Sequence, residues 1–103
     1  MKIAILYFGE CPHHHAAEEL IRNVLSELGK AAQLTRIAIP DEGTAVAERF
    51  PGSPTIRIDG VDIEPIADTG QYGLRCRVYS TPTGLSGTPA RQILRAKIQA
   101  GDR

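Results

Sequence analysis

The sequence predicts an α/β fold in the order β-α-β-α-β-β-α, with a mixed four- to five-stranded sheet flanked by helices and residues 1–103 forming one domain. Three observations predict it. The run Lys2-Ile3-Ala4-Ile5-Leu6-Tyr7-Phe8 is almost continuously apolar, which suits a strand covered on both faces. Just beyond it, apolar residues recur at three- and four-residue steps, the mark of an amphipathic helix. Asp59-Gly60, set between two short strand-like runs, is a hairpin signal, so the later pairing turns antiparallel. A chain of 103 residues and 11.2 kDa has room for one small core, and 42% hydrophobic with 23% charged residues is the balance of a soluble globule.

The elements follow in order. After the strand at 2–8, a helix over 12–29 places Ala16, Ala17, Leu20, Ile21, Val24, Leu25 and Leu28 on one face, with Glu18, Arg22, Asn23 and Glu27 opposite. Pro12 suits its first position and Gly29 the left-handed residue that closes it. Residues 32–39, with Leu34, Ile37 and Ile39, read as a less buried strand stopped by Pro40. Asp41 caps a short helix whose Val46, Ala47 and Phe50 share a face, and Pro51-Gly52 ends it. Thr55-Ile56-Arg57-Ile58 and Val61-Asp62-Ile63 form the hairpin; residues 65–73 are irregular. Leu74-Arg75-Cys76-Arg77-Val78-Tyr79 alternates, which turns Leu74, Cys76 and Val78 inward and both arginines outward. The Gly-, Pro-, Ser- and Thr-rich run 80–87 reads as loop. Thr88-Pro89 then opens a last helix carrying Ala90, Ile93, Leu94 and Ile98 on one side. No repeat or linker interrupts the chain.

Charge and composition remove several classes of partner. Twelve Lys and Arg offset twelve Asp and Glu, and the pI is near 6.8, so neither nucleic acid nor an anionic membrane is an expected partner. Aromatic residues at 5% and no tryptophan leave no base-stacking platform. No apolar run approaches the roughly 20 residues of a spanning helix, and Met1-Lys2-Ile3 leads into the first strand with no cleavable signal, so a cytoplasmic location is expected. The two cysteines, Cys11 and Cys76, are too few for a disulfide scaffold and in a reducing compartment rest as thiols.

Cys11 stands between a buried strand and the start of a long helix, where free N–H groups and the helix dipole favour a thiolate. It is therefore the candidate nucleophile, expected within reach of solvent. Helical residues fan out by about 100° each, so His13, His14 and His15 cannot all face one ion. His14, one turn from Cys11, is the best placed to hold a positive charge beside the thiolate or to protonate a leaving thiol. Glu10 is a solvated loop residue. Arg75 and Arg77 solvate the sheet or, alternatively, grip a carboxylate-bearing ligand.

The order β-α-β then β-β-α, with Cys11-Pro12-His13-His14 at the first strand-to-helix junction and Ser53-Pro54-Thr55 opening the third strand, resembles the thioredoxin-like superfamily over essentially the whole chain. The resemblance implies that Cys11 is the nucleophile, Pro54 a cis-proline against the sulfur, and Ser53, Pro54 and Thr55 the wall of a substrate groove. The Pro-His pair is similar to that of periplasmic disulfide oxidants, whose motif is Cys-Pro-His-Cys. Here His14 replaces the second cysteine, so exchange within the motif is impossible, and Cys76 is the remaining candidate to resolve a mixed disulfide. That requires Cα atoms within roughly 7 Å, which the sequence leaves open. The implied function is thiol–disulfide redox chemistry on a protein or glutathione thiol or disulfide, with no cofactor. The alternative is a non-enzymatic binding domain on the same scaffold, which holds a soft metal such as mercury or copper through Cys11 and Cys76.

Overall fold

The computed structural model describes residues 1–65 and 72–101. Its centre is β1 (Lys2–Tyr7), the apolar opening run, which pairs in parallel with β2 (Gln33–Ala38) and antiparallel with β3 (Thr55–Ile58). A hairpin brings β4 (Val61–Asp62) onto β3, giving the order β2-β1-β3-β4. Asp59 and Gly60 take φ of 50° and 86°, the double positive φ that a tight two-residue hairpin demands.

The inner position of β1 covers it on both faces. Ile3 and Ile5 pack with Ile56 and Ile58 of β3 against α1 (His14–Leu28) and α3 (Arg91–Gly101), through Ala17, Ile21, Val24, Leu25, Leu94 and Ile98. Leu6 faces the other way, toward Ile39, Ala45 and Phe50, with Ala4, Phe8 and Leu74 alongside. Each fully buried aliphatic side chain contributes about 1.5–3 kcal/mol, so the small aromatic content does not starve the core. Gly29 closes α1 at φ 63°, its own N–H returning to the Ser26 carbonyl and that of Lys30 to the Leu25 carbonyl.

Four local expectations need correction. The first helix begins at His14 rather than Pro12, with His13 at the cap position, because the chain first folds back through a bond from the Cys11 N–H to the Phe8 carbonyl. Asp41 does cap α2 (Glu42–Ala47), accepting from the Thr44 N–H at 2.7 Å, but Ala45 and Phe50 are its buried residues, while Val46 is 58% exposed. The helix ends at Glu48 and Arg49 swings to φ 52°, so helical spacing no longer governs Phe50.

The run 74–79 does not extend the main sheet. Cys76 forms an isolated parallel bridge with Ser53, outside the main sheet. Leu74 packs on the core and Arg75 is exposed as expected, but from Cys76 onward the faces are opposite to those expected: Arg77 and Tyr79 are buried, Cys76 is exposed and Val78 is 62% exposed. The sheet therefore has four strands. Residues 80–87 are not plain loop either, since β5 (Tyr79–Thr81) and β6 (Gly84–Ser86) form a separate antiparallel hairpin. Of the irregular stretch expected at 65–73, residues 66–71 lie outside the described residues. No described helix is long and apolar enough to cross a membrane.

Candidate functional site

Two distant pieces of chain meet beside the loop that opens β3. Ser53 donates its N–H to the Arg75 carbonyl at 2.8 Å and accepts the Arg77 N–H on its own carbonyl at 2.8 Å. That clasp fixes the Cα of Cys76 beside Ser53. The Ser53 carbonyl also accepts from the Cys11 thiol at 3.4 Å, so the start of the first helical unit joins the same knot. The Cys76 thiol donates to Cys11 Sγ at 3.5 Å. Both cysteines are free, and this separation is a nonbonded contact well beyond the roughly 2.05 Å of a disulfide. The Ser53–Pro54 peptide bond is cis.

The exposure of the two sulfurs reverses the expectation. Cys11 is only 1% exposed, whereas Cys76 is exposed and borders a hollow of about 260 Å³ lined also by His13, Val78, Leu85 and Ser86. The hydrogen bond to Cys11 pushes the Cys76 thiol pKa up, with burial and the neighbouring sulfur's charge adding to it, so Cys76 holds its proton.

Behind the thiols lies a polar network that the sequence analysis did not find. Arg77 pairs with Asp62 at 2.7 Å, donates to Thr55 Oγ1 at 3.3 Å and to the Glu64 carbonyl, and lies over the Tyr79 ring at 4.7 Å. Thr55 donates its hydroxyl to the Gly52 carbonyl at 2.6 Å, and Tyr79 donates its own to the Pro54 carbonyl at 2.5 Å. Burial pushes the Tyr79 pKa far upward, so the phenol stays a donor. Arg77 thus neither solvates the sheet nor stands ready for a ligand carboxylate, because Asp62 already occupies it. The Pro54 carbonyl is likewise taken by Tyr79. The Ser53 hydroxyl, in contrast, is buried with no hydrogen-bond partner among the described residues.

Of the expected site residues, the structure brings together Cys11, Cys76 and Ser53, with Pro54 and Thr55 tied in directly behind. His14 stands elsewhere. Its ring stacks on Tyr7 at 4.3 Å and meets His15 at 4.1 Å, and Nδ1 contacts the Arg36 guanidinium. Burial lowers its pKa, with His15 and Arg36 adding to the effect, so His14 is poorly suited to carry a positive charge for the thiols. His13 is the histidine that borders Cys76. Its ring packs so closely on Gly87 that a side chain at that glycine would collide with it. The described residues contain no group of three or more His, Cys, Asp or Glu that could hold a metal ion.

No family model matches the chain, and neither a curated protein nor a solved structure matches it.

Proposed function

We propose that this is a thioredoxin-like thiol–disulfide exchange protein whose working pair is Cys11 and Cys76. The observation that carries the reading is the 3.5 Å separation of two thiols that stand 65 positions apart in the chain. A mixed sheet in the order β2-β1-β3-β4, a cysteine at the first strand-to-helix junction and a cis Ser53–Pro54 bond beside it support the family part of the reading. The pair cycles between dithiol and disulfide, with two electrons and two protons exchanged against a thiol or disulfide of a protein or of glutathione, through a mixed disulfide. In the reducing cytoplasm proposed for the chain, the resting form is the dithiol.

The test is a titration in glutathione redox buffers, read by intact mass after alkylation. Wild type should lose two hydrogens and both alkylation sites together, and dithiothreitol should restore them; Cys11→Ser and Cys76→Ser should each abolish the transition. A wild type that keeps two alkylatable thiols throughout, or ends with two glutathione adducts per chain, overturns the reading. A second reading rests on the same pair of adjacent free thiols, which are soft donors: a soft ion, Hg(II) or Cu(I), held between them. It predicts that one ion per chain protects both thiols from alkylation.

A further inference from the structure

We infer that the external sulfur joins Cys76, so that Cys76 is the entry thiol and Cys11 the internal one. This inference rests on the exchange function proposed above and specifies its order. Thiol–disulfide exchange needs an approach along the line of the bond that breaks, from the free side of the sulfur under attack. Cys11 offers no free side. It is 1% exposed, with the Ser53 carbonyl at 3.4 Å and Cys76 Sγ at 3.5 Å, and a carbonyl oxygen repels an incoming thiolate. Cys76 opens onto the hollow between His13, Val78, Leu85 and Ser86. Leu85 is 79% exposed there, and the Arg77 guanidinium is committed to Asp62, so the hollow receives the uncharged carbon atoms next to the partner's sulfur.

The chemistry closes on two thiols. A partner thiolate attacks Cys76 Sγ of the oxidised protein; a bond forms between the two sulfurs, the Cys11–Cys76 bond breaks, and its electron pair stays on Cys11 Sγ. A second partner thiolate attacks the partner sulfur of that mixed disulfide and expels Cys76 Sγ with its pair. Two protons from solvent restore both protein thiols. Two partner thiols are thereby oxidised to one disulfide, and the protein disulfide is reduced by two electrons. The reverse sequence recharges the protein from an external disulfide.

The probe is bis(2-hydroxyethyl) disulfide, small and uncharged. Cys11→Ser, which keeps Cys76, should collect one stable hydroxyethylthio adduct at least tenfold faster than Cys76→Ser, which keeps Cys11, and the two rates should become equal in urea. On wild type, limiting iodoacetamide followed by peptide mapping should place the first label on Cys76, a readout that needs no variant to fold. Equal native rates, or a first label on Cys11, overturn the entry assignment. The wild-type redox titration separates the two levels. If the internal disulfide forms reversibly but Cys11 labels first, only the order of sulfurs falls. If Cys76 labels first but the internal disulfide never forms, the exchange reading falls and the entry assignment with it.

Discussion

At Gly52 a single hydrogen atom keeps the thiol pair together. Its φ is +153°, and a Cβ built there would stand 2.9 Å from Arg77 Cβ and 3.0 Å from the backbone N and Cα of Arg77. Backbone cannot yield as the tip of a side chain can, so Gly52→Ala should push the 75–77 segment off Ser53. The expected loss is on the order of 2 kcal/mol in urea unfolding, together with a slower internal disulfide; unchanged stability with unchanged disulfide formation would refute the clasp. The proton on Cys76 makes a second prediction at this scale. Its thiol pKa is raised first of all by the hydrogen bond to Cys11, then by burial. A raised acid pKa favours the protonated form in the folded state, so that contribution is present below the unfolded thiol pKa and is lost as pH rises through the folded one. Removing Cys11 removes the largest cause. The alkylation pH profile of Cys76 should therefore move to lower pH in Cys11→Ala, which leaves no acceptor for the Cys76 thiol, than in wild type, where the rate at Cys76 is followed by peptide mapping. A profile that stays in place means that the sulfurs do not share the proton.

The 74–79 segment shows how an element can be assigned its position by partners rather than by its own pattern. Alternation was legible in Leu74-Arg75-Cys76-Arg77-Val78-Tyr79, but its phase from Cys76 onward was not, because cysteine and valine are the residues that hydrophobicity alone sends inward. The phase is decided by Asp62 and by the Pro54 carbonyl, 15 and 25 positions away from Arg77 and Tyr79. Once Asp62 pairs with Arg77 and Pro54 accepts from Tyr79, turning these two inward leaves no charge or hydroxyl stranded, and Cys76 must face out. The same reasoning explains why His14 was misplaced: spacing from Cys11 is local, whereas Tyr7 and Arg36 reach it from β1 and β2. Asp62→Ala should then cost about 3 kcal/mol, since it leaves a guanidinium buried without its counter-charge. Replacing both partners, Arg77→Met with Asp62→Leu, should cost clearly less than that single change. Urea midpoints of the three proteins provide the measurement, and a double variant as unstable as Asp62→Ala would show that the ion pair is not what orients the segment. At the opposite edge of the knot, Tyr79→Phe should lose about 1 kcal/mol by stranding the Pro54 carbonyl.

For the molecule as a whole, the main sheet and its three helices were legible because their signals are periodic and repeat over many residues, as in β1 with its two covered faces and α1 with its single apolar stripe. The site was half legible. Cys11, Cys76 and Ser53-Pro54 could be named from the chain, but their meeting depends on a crossing of segments that no local pattern encodes. That crossing also couples redox state to stability. Joining Cys11 to Cys76 would close a loop across 65 positions, and the lost freedom of the unfolded chain is worth about 4 kcal/mol at 25 °C in the loop-entropy account. Sulfurs already 3.5 Å apart need little movement to bond, so most of that gain should survive in the folded protein. Urea unfolding of wild type should accordingly give a higher midpoint and a shallower slope when oxidised than with dithiothreitol, because the bridged unfolded chain exposes less surface. Cys11→Ser should show no response to dithiothreitol. By thermodynamic linkage, whatever the bridge adds to folding, folding adds to the bridge, so the disulfide should be harder to reduce in the native protein than in urea by the same free energy. If the oxidised protein unfolds at equal or lower urea, bonding the sulfurs must distort the clasp around Ser53, and the loop-entropy gain is cancelled by native-state strain, which would make the pair a stronger oxidant rather than a stabilising bridge.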